Sequence, residues 1–137
     1  MGKVITIEPG QPAQVVEHQG DLVQLADLHR YTDCDCVDAR SLGPMPVSGR
    51  ICDVWFDDNG LLNDGSVPNR QIGENTIVVG KMVLCARNPE GDSLPFTDDE
   101  AEAVRAFVER RWAKLPPDHP KPEPTWEFIS VPRPEKI

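Results

Sequence analysis

Apolar and polar positions along the chain follow a period of two in several short segments rich in β-branched and aromatic residues. This period predicts strands, because successive side chains of a strand point to opposite faces. The predicted strands cover 3–8, 14–19, 32–38, 51–57 and 76–86. The last of these is apolar on both faces, which predicts a central position, and Gly80 within it predicts a bulge or a close backbone approach.

Two segments follow a helical period instead. The first helix is predicted to begin after Asp21, which can cap its first turn, and the second at Thr97, where Thr97 and Glu100 match a capping box. The apolar stripe of the first helix is predicted to be Leu22, Leu25, Ala26 and His29. The second is predicted to end at Pro116. These elements predict an α+β fold, with one mixed, mainly antiparallel sheet and both helices packed on one of its faces.

Prolines divide the chain unevenly. Of 14 prolines, seven lie at or beyond residue 116, where fixed φ angles and the lack of an apolar period favour an extended conformation. We therefore expect an α+β domain over 1–115 and a proline-rich extension, an extended C-terminal strap, over 116–137. Residues 125–131 are expected to dock as one more strand, with a partner-binding peptide as the alternative. The oligomeric state stays open, because an uncovered sheet edge would favour a dimer.

Charge narrows the choice of partners. The chain carries 14 Lys and Arg against 23 Asp and Glu, a net charge of −9, and this field disfavours general binding to a phosphate backbone. No apolar run reaches the roughly 18 residues of a membrane span, and no signal-peptide pattern is present. The sequence therefore predicts a cytoplasmic protein without membrane or generic nucleic-acid binding.

Four cysteines lie at 34, 36, 52 and 85, inside predicted strands. Their spacing is not that of paired Cys-x-x-Cys zinc ligands. Buried thiols are the preferred interpretation, and the alternatives are metal or redox chemistry and disulfides. We predict no metal site and no cofactor.

Catalytic motifs are missing from the sequence. The three histidines are scattered, and none pairs with a cysteine or serine at a spacing typical of a catalytic dyad. The acidic stretch 57–60 is interpreted as the turn of a hairpin whose second strand begins at Leu61 and Leu62, because it lacks the ligand spacing of a calcium loop. No catalytic residue is predicted, and the chain is not expected to be an enzyme.

The polar residues best suited to a binding role, Asn69 and Arg70, follow Pro68. A proline-stiffened loop could hold Asn69 and Arg70 rigidly against a carboxylate, a phosphate or a carbonyl group. The alternative is an Asn-assisted turn in which Arg70 pairs with a local acid. Trp55 and Asp57, on one face of the strand 51–57, extend the candidate surface. The predicted binding residues are therefore Asn69, Arg70, Trp55 and Asp57.

The order of these motifs resembles an uncharacterised family of small domains found in phages, plasmids and actinobacteria. The resemblance spans about residues 3 to 112 and rests on the segments 5–10, 20–25, 54–61, 68–70 and 77–80. The family has a glycine pair after the first helix, where this chain has His29 and Arg30. The resemblance implies the fold and an accessory role on a mobile element, such as interference with a host defence protein.

Three hypotheses of function follow. The first is a non-enzymatic interaction protein that binds a host or phage protein. The second is a small-molecule binder that sequesters a nucleotide-like ligand through Arg40, Arg50 and Arg70. The third is an acidic DNA mimic, which the arginines interspersed among the acids weaken.

Overall fold

The computed structural model describes residues 2–58, 67–72 and 76–121. In chain order the elements are β1 (Gly2–Ile7), β2 (Gln14–His18), α1 (Leu25–Thr32), β3 (Val37–Pro44), β4 (Ile51–Asp57), β5 (Pro68–Gln71), β6 (Ile77–Val79), β7 (Met82–Arg87), β8 (Ser93–Leu94), α2 (Asp98–Arg111) and β9 (Ala113–Lys114). The main sheet has the order β2-β1-β7-β4-β3, with β8 also paired to β7, and a small sheet has the order β6-β5-β9. The predicted α+β class is confirmed.

Strand β7 lies at the centre of the main sheet, between β1 and β4. Its side chains alternate between two buried clusters, with Leu84 in one and Val83 in the other. Helix α2 covers the first face through Val104 and Val108, and α1 covers the second through Leu28. The prediction that both helices share one face is wrong, because a strand that is apolar on both sides needs cover on both.

The apolar run 76–86 is divided at Gly80. This glycine has a φ of +81°, a conformation that side chains rarely adopt, and its N–H donates to the Val67 carbonyl oxygen at 2.8 Å. Strands β6 and β7 on either side of it belong to different sheets. The prediction of one continuous strand is therefore wrong, whereas the expected irregularity at Gly80 is confirmed.

Helix α1 begins three residues later than the pattern predicts. Leu22 and Leu25 are exposed, whereas Leu28 and Thr32 are buried, so the predicted apolar stripe is wrong. The residue before the helix is Gln24, whose backbone N–H donates to the Asp27 carboxylate at 2.9 Å. This first-turn contact fixes the start of the helix where the apolar spacing does not.

Helix α2 begins as predicted. The Glu100 N–H donates to Thr97 Oγ1 at 3.2 Å, and the Thr97 N–H donates to Glu100 Oε1 at 2.9 Å, which confirms the capping box. The helix ends at Arg111 rather than at Pro116, because Ala113 and Lys114 pair with β5 as strand β9.

The segment between α1 and β4 departs from the prediction. Asp33 has a φ of +57° and ends α1, residues 34–36 are neither helix nor strand, and β3 begins only at Val37. Cys34 is half-buried and Cys36 is exposed, whereas Cys52 and Cys85 are buried. The predicted strand over 32–38 is therefore wrong, and two of the four expected buried thiols lie at the surface.

Some predictions fall wholly or partly on residues 59–66 and 122–137, outside the described part of the chain. They include the turn at 57–60, the strand resumed at Leu61, and the strand over 125–131. The division into a domain over 1–115 and an extension over 116–137 stays a prediction. Within the described residues, no helix is long and apolar enough to cross a membrane.

Candidate functional site

The predicted binding residues fall into two groups on opposite faces of the main sheet. Asn69 and Arg70 lie on the side of α2, where Arg70 approaches Glu109 of that helix. Trp55 packs against the cluster on the side of α1, and Asp57, two residues further along β4, shares its face. The structure therefore does not bring the four residues to one surface.

Asn69 lies in β5 and is fully buried, so the prediction of an exposed loop at this position is wrong. Its side-chain Nδ2 donates to the carbonyl oxygens of Ile7 at 2.9 Å and of Gly80 at 2.7 Å. Its own carbonyl oxygen accepts from the Leu115 N–H at 3.1 Å. One side chain and its peptide thus join the end of β1, the break before β7 and the residue after β9.

Arg70 is 1% exposed. Its guanidinium donates to Asn69 Oδ1 at 2.8 Å and to the Gln11 carbonyl oxygen, and it lies 3.9 Å from the Glu109 carboxylate. Burial lowers the pKa of Arg70, and the charge of Glu109 opposes this effect. We call Asn69, Arg70 and their partners the internal polar cluster. A ligand-binding role for these two residues stays a prediction, and a ligand would have to displace internal contacts to reach them.

Trp55 is half-buried against the α1 side of the core. Its indole Nε1 is buried without a hydrogen-bond partner of normal geometry in the described part of the chain, although it interacts with the nearby Cys85 thiol, a weak acceptor. Burial raises the pKa of that thiol to about 12. The half-buried Trp55 therefore packs mainly against the core, and its predicted place in a binding surface stays a prediction.

Asp57 lines a surface cleft of about 500 Å³ beside the end of α1. The other lining residues are His29, Arg30, Asp33, Cys34, Asp35 and Cys36. Two features hold the cleft walls together: Val37 pairs with Asp57 across β3 and β4, and the Asp58 N–H donates to the Cys36 carbonyl oxygen at 2.9 Å. We call these seven lining residues the acidic cleft.

Negative charge dominates the acidic cleft, because its cations are directed to particular partners. Arg30 donates to Asp27 at 3.0 Å and stacks over the Tyr31 ring at 4.8 Å. The Lys81 ammonium approaches Asp33 only to 3.9 Å, and both side chains are substantially exposed. The last carbonyl groups of α1 add partial negative charge at the same place. The cleft therefore favours a cationic group over an anionic one.

The thiols of Cys34 and Cys36 lie in the negative field of the acidic cleft. Cys34 Sγ is 3.1 Å from Thr32 Oγ1 and 3.4 Å from the Cys36 carbonyl oxygen. Burial raises the pKa of Cys34, the Thr32 hydroxyl opposes this, and the charge of Asp57 raises the pKa further. Within residues 2–58, 67–72 and 76–121, no three His, Cys, Asp or Glu side chains are gathered as metal ligands would be.

A second cleft, of about 710 Å³, lies at the start of α2 and includes Arg50. The Arg50 guanidinium is bound to Glu100, with Nε 2.9 Å from Oε2 and Nη2 2.5 Å from Oε1. Burial opposes ionisation of Glu100, but hydrogen bonds from Arg50, Ser48 and the Thr97 backbone outweigh it and lower the pKa of Glu100 to about 2. This cation is thus already paired inside the fold.

The three arginines proposed as phosphate contacts lie apart. Arg40 on β3 donates to Thr76 Oγ1 at 3.2 Å, Arg50 is bound to Glu100, and Arg70 belongs to the internal polar cluster. The structure therefore does not assemble the three-arginine nucleotide site of the second hypothesis.

Sequence reasoning missed most of the acidic cleft. Asp33, Asp35 and the two cysteines were interpreted as the two faces of a strand, since they alternate with a period of two. The signal that could have located the cleft is Asp33 itself, because Asp and Asn tolerate the left-handed conformation that ends many helices.

The fold and the cleft define a small antiparallel α+β domain with one helix on each face of its main sheet and an acidic cleft at the end of the first helix. Residues 2–109 match the family model DUF3846, a domain of unknown function, and the chain belongs to this family. The resemblance to an uncharacterised domain family is thereby confirmed. Neither the curated proteins nor the solved structures gave a match.

Proposed function

We propose that this chain is a non-enzymatic accessory protein of phage or mobile-element type, whose acidic cleft takes a basic segment of a host protein. The observation that carries the proposal is the cleft itself, an open space of about 500 Å³ lined by three aspartates. Complementary charge of this kind steers a partner toward its site and sets the orientation in which it binds.

Exposure supports the role of the cleft as a contact surface. Asp33, Asp35 and Cys36 are exposed, and Asp57 is half-buried. A Lys or Arg side chain of a partner could therefore reach the carboxylates from solvent, and its apolar stem could lie along the cleft wall. The partner class that fits is a basic peptide segment rather than a nucleic acid.

The non-enzymatic part of the proposal draws on the buried polar side chains. The internal polar cluster and the pair of Arg50 and Glu100 are bound within the fold. So is buried His18, whose Nε2 donates to the Leu22 carbonyl oxygen at 2.8 Å and whose Nδ1 lies 2.7 Å from the Tyr31 hydroxyl. Each of these groups has a structural partner that accounts for its burial.

The phage or mobile-element setting and the interference with a host defence protein rest on the family resemblance. They determine where a partner should be sought, namely among the basic cytoplasmic proteins of a bacterial host.

The test compares two double variants that each remove two negative charges. Asp33→Asn with Asp35→Asn removes two charges from the cleft. Asn is used at position 33 because it tolerates the left-handed backbone conformation found there. Glu8→Gln with Glu90→Gln changes exposed positions that do not line the cleft. Tagged full-length chains are used to capture proteins from several bacterial lysates at low and high salt.

We expect a basic protein to be captured by the wild type and by the second variant at low salt, and to be lost with the first variant. High salt should weaken capture, since exposed charges are screened. Equal capture by both double variants, or no capture from any host lysate, would contradict the proposal.

A further inference from the structure

Two of the four cysteines line the acidic cleft, whereas the other two are kept apart by the main sheet. Cys52 and Cys85 are buried in clusters on opposite faces of the main sheet. Cys34 and Cys36 follow the end of α1 with a single residue between them, and both line the cleft. The structure thus separates two structural thiols from two surface thiols.

The backbone around the surface pair allows the two sulfurs to come together. Residues 34–36 belong to no helix or strand, and Cys34 Sγ already contacts the carbonyl oxygen of Cys36 at 3.4 Å. Cα atoms two residues apart in a bent chain are separated by roughly 5–7 Å, which overlaps the range that a disulfide requires. Closure therefore needs side-chain rotation and a local adjustment of an irregular segment.

We propose that Cys34 and Cys36 form a reversible dithiol–disulfide site that reacts with low-molecular-weight disulfides carrying positive charge. This inference does not depend on the proposed function, because it concerns the thiols of the cleft and not a protein partner. The preference for a cationic reagent follows from the carboxylates of Asp33, Asp35 and Asp57 around the two thiols.

The reaction has two exchange steps. Cys36, the exposed thiol, loses its proton to solvent and attacks one sulfur of the reagent. The S–S bond of the reagent breaks, a bond forms to Cys36 Sγ, and the departing thiolate takes up a proton. Cys34 then loses its proton and attacks Cys36 Sγ, which breaks the mixed disulfide and releases the second thiol. Two protein thiols are oxidised to one disulfide, and the reagent is reduced to two thiols.

The order of attack follows from the surroundings of each thiol. Cys34 is half-buried and held against Thr32 Oγ1 at 3.1 Å, and burial raises its pKa, so few Cys34 thiolates are present at neutral pH. Cys36 is exposed to reagents in solvent. Cys36 is therefore the attacking residue, and Cys34 resolves the mixed disulfide by an intramolecular step.

The experiment treats the reduced full-length chain with cystamine, a cationic disulfide, or with glutathione disulfide, an anionic one, and follows intact mass and peptide maps. We expect the wild type to lose two hydrogen atoms, with a crosslink between Cys34 and Cys36 that dithiothreitol reverses. Cystamine should react several-fold faster than glutathione disulfide. In Asp33→Asn with Asp35→Asn this preference should shrink, whereas the Glu8→Gln and Glu90→Gln variant should keep it.

Single variants separate the two roles. Cys34→Ser should stop at a stable mixed disulfide on Cys36, and Cys36→Ser should react far more slowly. A wild type that accumulates the mixed disulfide without the crosslink would overturn the proposal. So would a Cys36→Ser chain that reacts as fast as the wild type, or an equal rate with both reagents.

Discussion

The internal polar cluster and the acidic cleft lie on opposite faces of the same sheet and use polar side chains in opposite ways. In the cluster, both Asn69 and Arg70 are buried. Asn69 donates to the carbonyl oxygens of Ile7 and Gly80, and Arg70 donates to that of Gln11. In the cleft, Asp33, Asp35 and Cys36 are exposed, whereas Asp57 and Cys34 are half-buried. Polar residues in the cluster connect segments that are distant in sequence, whereas Asp33 and Asp35 of the cleft can be reached from solvent.

The largest expected effect tests the connecting role of the cluster. Asn69→Ala removes two donors to buried carbonyl oxygens and the acceptor of Arg70, so we expect a loss of about 3 kcal/mol in the free energy of unfolding. Urea denaturation followed by circular dichroism measures it. A loss below about 1 kcal/mol would remove the distinction between the two regions.

The second prediction tests whether the ion pair between Arg50 and Glu100 stabilises the fold, although Arg50 lines the second cleft. Glu100→Gln should cost about 2 kcal/mol at pH 7, because it leaves the Arg50 guanidinium without its charged partner. The pKa of Glu100 is about 2 in the folded chain, below its ordinary value of 4.5. Its contribution is therefore complete above the unfolded pKa and is lost as the pH falls toward 2.

Urea midpoints of the wild type and of Glu100→Gln at several pH values check this expectation. The difference between the two proteins should be greatest near neutral pH and should shrink as the pH falls through this range. A difference that does not depend on pH would show that the ion pair contributes no stability, and Arg50 would then be available for a ligand.

The third prediction compares the two kinds of cysteine. Cys85→Ser places a hydroxyl group in a fully buried position and should cost about 1–2 kcal/mol. Cys36→Ser, at an exposed position, should change the free energy of unfolding by less than about 0.5 kcal/mol. Thermal unfolding of both variants under reducing conditions gives the comparison, and equal losses would contradict it.

The smallest expected effect concerns the cleft carboxylates. Asp33→Asn with Asp35→Asn should leave the free energy of unfolding within about 0.5 kcal/mol of the wild type, because both residues are exposed. Denaturation at low and at high salt measures the change. A clear loss of stability would mean that these aspartates support the fold, and their effect on partner binding would then need another explanation.

Local sequence signals predicted the elements that local contacts determine. Strand β4 covers the predicted residues 51–57, and the capping box at Thr97 places the start of α2 correctly. Where the structure departs from the prediction, the cause is a distant contact or a backbone angle. Trp112 ends α2 before a strand that pairs with β5, and Asp33 ends α1 in a left-handed conformation that no period of apolar residues reveals.

The candidate site was harder to predict than the fold. Asn69 and Arg70 were predicted as binding residues, but their burial depends on contacts with Gln11 and Glu109, which are far away in sequence. Asp57 was placed on the correct face of β4, whereas its cleft neighbours come from the end of α1. Sequence patterns identify polar residues under constraint, and only the three-dimensional contacts show whether they face inward.

The central position of β7 also has a consequence for synthesis on the ribosome. Strands β1 and β2 form one hairpin and β3 and β4 form another, and β7 is the strand that joins the two. Until Arg87 has left the exit tunnel, each hairpin has an unpaired edge and an uncovered apolar face. The nascent chain therefore passes through a stage at which two hairpins can pair with other chains, and the emergence of one six-residue strand ends it.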